Sequence, residues 1–133
     1  MAKTNLVHVV VITPERQVLE VDAPSVVFTA HDGEMGILPG RAPLMCELGV
    51  GQLRYAEGGK TRRVTIDGGF AQVHQNQVSV LTERAVTAEE VTPEMIAEAD
   101  KAATPTGSVK PDVLAAQARA KRRASVLRSI KAA

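Results

Sequence analysis

The sequence is poor in aromatic residues, which make up 2% of its 133 positions: Phe28, Phe70 and Tyr55, with no tryptophan. A core must then be built from Val, Ile, Leu and Ala, and the aromatic platforms on which nucleic-acid modules stack bases are missing. Cysteine is scarcer still. Cys46 stands alone, which rules out an internal disulfide framework and is compatible with a reducing compartment. No run reaches the roughly 18 apolar residues that span a bilayer, and the opening residues Met1-Ala2-Lys3-Thr4-Asn5 do not read as a signal peptide. An excess of one charge is absent too. Sixteen Lys and Arg face 15 Asp and Glu, so the net charge of +1 gives no global attraction to nucleic acid or anionic lipid. The expected setting is cytosolic or cytosol-facing.

Catalytic chemistry is lacking in the same way. Cys46 with His31 or His74 as base would be the candidate nucleophile pair, but nothing in the spacing joins them. A lone Cys in a strand is usually a small buried apolar residue. His8 alternates within an apolar strand and reads as structural, and His8, His31 and His74 show no metal-ligand spacing. Gly49-Val50-Gly51 and Gly58-Gly59 are followed by no helix and no Walker lysine, so they are not phosphate loops. No catalytic, cofactor or metal residue is expected, and the chain is expected not to be an enzyme on its own.

What the sequence does have, over residues 5–82, is β pattern. Residues 6–12 are a β-branched run too short and stiff for a good helix. Thr13-Pro14-Glu15-Arg16 turns the chain, and strands over 18–21 and 25–30 follow, interrupted by Asp22-Ala23-Pro24. Next comes Gly33-Glu34-Met35-Gly36-Ile37-Leu38-Pro39-Gly40-Arg41-Ala42-Pro43-Leu44-Met45. That density of Gly and Pro specifies a backbone path rather than a flexible linker. It reads as a recognition edge, with Ile37 in the core, Leu38 and Met45 outward, and Glu34 and Arg41 as contacts.

Residues 44–48 form a further strand, and Gly49-Val50-Gly51 reads as a turn. Residues 52–56 then pair with 60–67 across Glu57-Gly58-Gly59. Val64 and Ile66 alternate with Arg63, Thr65 and Asp67, the pattern of a half-buried strand. Gly68-Gly69 reads as another turn, before a last hairpin of 70–74 and 77–81 across Gln75-Asn76. About eight short strands bounded by Gly, Pro or Asn predict an antiparallel β-sandwich or barrel.

After Leu81 the period changes. Val91, Met95, Ala99 and Ala102 fall on one helical face, with Thr87 or Thr92-Pro93 as the start signal. Thr104-Pro105-Thr106-Gly107-Ser108 ends that helix. Lys110-Pro111-Asp112 begins a second, which runs to about Ile130 through Val113, Ala116, Ala120, Ala124 and Leu127. The short connection predicts an antiparallel hairpin. Its alanine seam buries little area, so the hairpin depends on another surface and is able to detach. Glu89, Glu90, Glu94, Glu98 and Asp100 make the first helix acidic, while Arg119, Lys121, Arg122, Arg123, Arg128 and Lys131 make the second basic and suited to an acidic partner. The expected fold class is α+β: an N-terminal antiparallel β-sandwich over 1–86 and a C-terminal antiparallel two-helix hairpin over 87–133.

The segment from Gly33 to Leu44 resembles the G-x-x-G-x-x-P-G-H-x-P-L stretch of the epsilon subunit of F-type ATP synthases. Val64-Thr65-Ile66-Asp67-Gly68-Gly69-Phe70 and Val78-Ser79-Val80-Leu81 are similar to later parts of that family, and the likeness extends over residues 4–130. The resemblance implies a non-catalytic rotor subunit, peripheral on the cytoplasmic face of a bacterial inner membrane and touching the membrane only indirectly. The sandwich would bind the gamma subunit and rest on the c-ring, while the tail folds down or extends to restrain ATP hydrolysis. Glu34 matches the position facing the c-ring, flanked by His31, Asp32 and Met35. Thr13, Arg41 and Cys46 match positions toward gamma. The basic second helix, through Arg119, Arg122, Arg123 and Arg128, suits an acidic surface on the catalytic beta subunit, and the hairpin's expected partners include the alpha subunit beside it.

Two departures stand out. Arg41 replaces a common His, which fixes a charge. Some members bind ATP through an I/L-D-x-x-R-A motif, where this chain reads Val91-Thr92-Pro93-Glu94-Met95-Ile96 and lacks both the aspartate and the arginine. ATP binding by that route is not expected, and no cofactor is. The competing reading is a free-standing β-sandwich interaction domain with a helical oligomerisation tail.

Overall fold

The β-branched run near the N-terminus forms β1 (Val7–Ile12), which turns back into β2 (Gln17–Ala23). Strands β3 (Val26–Ala30) and β4 (Gly33–Ile37) make a short hairpin. The long strands β5 (Leu44–Glu57) and β6 (Lys60–His74) make a second, and β7 (Gln77–Leu81) and β8 (Ala85–Thr87) complete the sheet. A 3₁₀ turn (Ala88–Glu90) leads to helices α1 (Pro93–Ala103) and α2 (Pro111–Ala132). The computed structural model describes residues 5–31, 33–107 and 109–132.

The strand order is β2-β1-β7-β6-β5-β3-β4, with β8 paired to β6. The fold is the expected α+β arrangement with one difference: β1 and β7 run parallel, whereas the other pairs are antiparallel. These two strands are far apart in the chain, so no hairpin dictates their relative direction.

Gly49-Val50-Gly51 and Gly68-Gly69 are not turns. Both lie inside continuous strands, and the β5–β6 register runs unbroken from Leu44↔Val73 through Leu48↔Gly69 and Val50↔Asp67 to Glu57↔Lys60. What changes there is the face. Leu48 points inward before the glycines and Leu53 and Tyr55 after them; on β6, Val64 and Ile66 give way to Ala71 and Val73. The inward positions thus switch from even to odd on β5, and likewise on β6. The paired strands fold over together at a corner, and both halves of the sheet face one core. Gly68 and Gly69 supply the positive φ, +76° and +106°, that side chains resist.

That core gathers Val7, Val9 and Val11 of β1, Val26 and Phe28 of β3, Ile37, Leu53, Val64, Val73, Val78 and Val80. Aliphatic packing around the one fully buried ring replaces the missing aromatics, as the composition demands.

Both predicted start signals are used. Glu90 accepts from the Thr87 backbone N–H at 3.0 Å in a capping box around the 3₁₀ turn. Thr92 Oγ1 accepts from Met95 N at 3.2 Å, with Pro93 at the first position of α1. The helices lie antiparallel: Arg128 pairs with Asp100, and Gln117 Nε2 donates to the Thr104 carbonyl at 3.3 Å. Val91, Ala99, Ala124, Leu127 and Ile130 form a second, smaller buried cluster. Ala116, expected in this seam, is exposed, and Val91 joins it from just before α1.

The hairpin also covers the outer side of β6. Thr65 and Asp67, expected to face solvent, are each 8% exposed, so residues 64–67 are buried on both faces. Strand alternation alone could not reveal this, because the covering element lies about 60 residues further on.

Candidate functional site

Period-two alternation in the outer half-sheet places two rows of side chains away from the core. Met45, Gln72, Ser79 and Val10 make one row, and Glu47, Phe70, Leu81 and Ile12 the next. Met45 is 67% exposed, Phe70 56% and Leu81 55%. Beside Phe70 and Leu81 a cleft of about 350 Å³ is lined by Ile12, Thr13, Gly69 and Thr82. Exposed large apolar side chains gathered on one sheet face, with a recess at its edge, suit a protein partner. Met45 was legible in the sequence as outward. Phe70 and Leu81 were not singled out, although Ala71, Val73, Val78 and Val80 facing the core already force them outward.

The residues matched to the gamma side do not form one cluster. Thr13 is buried, and its hydroxyl closes the β1–β2 turn by donating to the Arg16 carbonyl at 3.1 Å and accepting from Arg16 N at 3.3 Å. It nevertheless lines the cleft beside Phe70. Cys46 faces the other way from Met45 and packs half-buried against the core. Arg41 is exposed on a turn in which its N–H donates to the Leu38 carbonyl at 3.2 Å. That turn is held by Asn76, whose Oδ1 accepts from Gly40 N at 2.7 Å and whose carbonyl accepts from His8 N at 2.7 Å. Asn76 was read as a turn residue only. Its positive φ of 63° fits that role, but its cross-links had no signal in the sequence.

The residues matched to the c-ring side sit on the β3–β4 hairpin. Gly33–Ile37 is a regular strand at the edge of the sheet, with Glu34 opposite Thr29 and Met35 opposite Phe28. Ile37 is fully buried and Leu38 64% exposed, as the sequence indicated. His31 is exposed at the tip, its N–H bonded to the Glu47 carbonyl at 2.8 Å, and Met35 packs against the core. Asp32 lies outside the described residues. Glu34 is bound by both terminal nitrogens of Arg54, at 2.6 and 3.2 Å, and this forked bond holds its carboxyl below the usual carboxylate range. Arg54, two strands away, was not anticipated.

On α2, Arg119 and Arg122 are exposed. Arg123 and Arg128 are engaged within the chain instead: Arg123 Nε binds Asp67 Oδ2 at 2.9 Å, and Arg128 binds Asp100. In this conformation the basic face is therefore narrower than the sequence suggested. Glu90 binds Arg16 and Glu89 binds Arg62, which pins the 3₁₀ turn to the sandwich.

His8 is structural but not apolar. Its Nδ1 lies 2.7 Å from Asp22 and its Nε2 2.8 Å from Glu20 on β2. Among the described residues no group of three or more His, Cys, Asp or Glu is arranged to hold a metal ion. No helix among them is long and apolar enough to cross a membrane. The positions matching the family's ATP motif carry fold contacts, with Thr92 capping α1 and Met95 packed on the hairpin cluster.

Residues 6–88 match the family described as ATP synthase, Delta/Epsilon chain, beta-sandwich domain. The ATP synthase epsilon chain of Nitratidesulfovibrio vulgaris (strain DSM 19637 / Miyazaki F) is 42% identical over 84 residues, 63% of this chain and 63% of the relative. That of Symbiobacterium thermophilum is 46% identical over 83 residues, 61% of this chain and 59% of the relative. The chain thus spans 63% and 59% of the length of these curated relatives. Among solved structures, a chain of the Euglena gracilis mitochondrial ATP synthase (OSCP/F1/c-ring, rotational state 1) superposes with a TM-score of 0.78 at 25% identity, over 95% of this chain and 81% of that one. A chain of the Tetrahymena thermophila mitochondrial ATP synthase (central stalk/c-ring) shares the fold, with a TM-score of 0.59 at 18% identity over 99% of this chain and 98% of that one. A half-sheet with an outward apolar face, the Gly/Pro turn pinned by Asn76 and a capped helical hairpin are thus joined in one chain that belongs to the epsilon-chain family of the F-type ATP synthases.

Proposed function

We propose that this chain is a non-catalytic central-stalk subunit that links gamma to the c-ring and so helps couple proton translocation to ATP synthesis. The observation that carries the reading is the outward face bearing Met45, Phe70 and Leu81 on a sandwich of this family. Its edge cleft accepts an apolar anchor from gamma, with Thr13 lining the recess and Arg41 on the pinned turn. Cys46 supports that face from behind, packed on the core side. The β3–β4 hairpin, with His31, Glu34 and Met35, and Asp32 in its connection, meets the c-ring. Because Arg54 already neutralises Glu34, that contact is a polar fit rather than the meeting of a free carboxylate with a cation.

The domains divide near residues 86–87, with the hairpin as a regulatory tail. Arg119 and Arg122 meet an acidic surface of the catalytic beta subunit, and Arg123 and Arg128 join them only once released from Asp67 and Asp100. The site of action is the cytoplasmic face of a bacterial inner membrane.

The test adds the protein to a bacterial catalytic head carrying gamma but stripped of its own epsilon subunit. The wild-type chain is expected to bind and to slow ATP hydrolysis. Phe70→Asp/Leu81→Asp should weaken binding by about tenfold or more, since central apolar anchors dominate such interfaces. Arg119→Glu/Arg122→Glu should bind but slow hydrolysis less. Undiminished binding by the Phe70/Leu81 variant would remove this face from the interface. Absence of binding by the wild-type chain to a matched gamma would leave the free-standing interaction domain as the better reading.

A further inference from the structure

The hairpin rests on the outer side of the β5–β6 corner, yet its buried cluster is separate from the sandwich core. Between the two a cleft of about 320 Å³ runs past Val50, Asp67, Met95, Arg123 and Leu127. The helix α2 still lies against β5 and β6, so the cleft interrupts this packing without separating helix from sheet. Among the described residues, one part-buried ion pair crosses this contact, Arg123 Nε to Asp67 Oδ2 at 2.9 Å, with side chains 22% and 10% exposed.

This pair is incompletely satisfied. Asp67 Oδ1 is buried, and among the described residues no donor reaches it. Among the described residues the guanidinium makes a single bond, through Nε, unlike the forked Arg54–Glu34 pair at the surface. Docking the hairpin strips water from a carboxylate and returns one charge-assisted bond, and a buried ion pair with such geometry contributes little net stability. Removing only its cation leaves an uncompensated buried carboxylate, which strongly opposes the buried state.

We propose that Asp67 and Arg123 form a latch that keeps the docked hairpin close to balance with a released one, so that drawing Arg123 away is enough to free α2. Arg119, about one turn before Arg123, and Arg122, immediately before it, lie exposed on the helix. An acidic surface that engages them competes directly with Asp67 for Arg123. The latch stands on the geometry alone; its effect on hydrolysis rests on the reading of the hairpin as a brake.

Amide hydrogen exchange on the isolated full-length chain tests the latch without any activity measurement. In Arg123→Met, amides of residues 120–127 should exchange at least about tenfold faster, because the uncompensated carboxylate expels the helix. The β1 and β7 amides should keep their wild-type rates. In Asp67→Val/Arg123→Met, where apolar groups of similar reach replace both charges, α2 should exchange as slowly as in the wild type or more slowly. Unchanged α2 exchange in Arg123→Met would overturn the latch. So would equal acceleration in β1 and β7, or a double variant as fast as the single one. Failure of the brake would appear elsewhere, as unslowed hydrolysis with these exchange differences intact.

Discussion

His8 stands between two carboxylates, with a ring nitrogen directed at each, an arrangement in which only the imidazolium donates to both. The hydrogen bonds to Asp22 and then Glu20 raise its pKa above the usual 6.5, against a smaller opposing effect of burial. A raised folded-state value means that the stabilisation is fully present below the unfolded pKa and is lost as pH rises through the folded one. Urea denaturation should find His8→Gln less stable than the wild type at about pH 5.5, with the gap shrinking by about pH 8.5. A gap that widened with pH would reverse the assignment. From the sequence His8 was legible as structural because it alternates in an apolar strand. Its partners were not, since Glu20 and Asp22 come opposite it only through the β1–β2 register. Asn76 and Arg54 escaped for the same reason: their residue types suit many positions, and their roles arise from strands that meet only in the fold.

At the scale of elements, the corner in β5 and β6 is the feature most exposed to a single change. A Cβ at Gly69 would stand 2.0 Å from the Leu81 carbonyl oxygen, in backbone at φ +106°. Two penalties combine there, a clash with backbone and an unfavourable dihedral. Gly69→Ala is expected to cost about 3 kcal/mol or more, read as a lower urea midpoint. Gly58→Ala, in an open turn with nothing within 4 Å, pays only the dihedral penalty and should cost less. The glycines were visible in the sequence and were assigned to the wrong device. A Gly pair between apolar runs marks a turn in most contexts; here paired glycines on both strands let the sheet fold over without breaking register. The helix boundaries were easier, because Thr92-Pro93 and Lys110-Pro111 carry their own start signals and act locally.

For the molecule as a whole, two cores of unequal size imply unequal stability. The sandwich cluster holds Phe28, Ile37 and Leu53 among a large set of valines, whereas the hairpin cluster is alanine-rich and borders a cleft. Heating should therefore lose helical signal before the sheet melts, giving transitions that do not coincide between a helix-sensitive and a sheet-sensitive probe. A single coincident transition would mean that the hairpin and sandwich form one cooperative unit. Fold class and the hairpin were legible in the sequence because period and punctuation are local properties. The outward apolar face was only half legible, through Met45, because Phe70 and Leu81 needed a register. The burial of Thr65 and Asp67 needed a helix some 60 residues away and left no local trace.

The unbroken β5–β6 ribbon has a mechanical consequence. The two halves of the sandwich are not joined by a linker: they are stretches of the same two strands, cross-tied from Leu44↔Val73 to Glu57↔Lys60. A load applied at one half would reach the other through continuous backbone, so the sandwich forms one stiff piece. The extended residues Val91 and Thr92 join this body to α1, with Val91 buried in the hairpin cluster and Thr92 capping the helix.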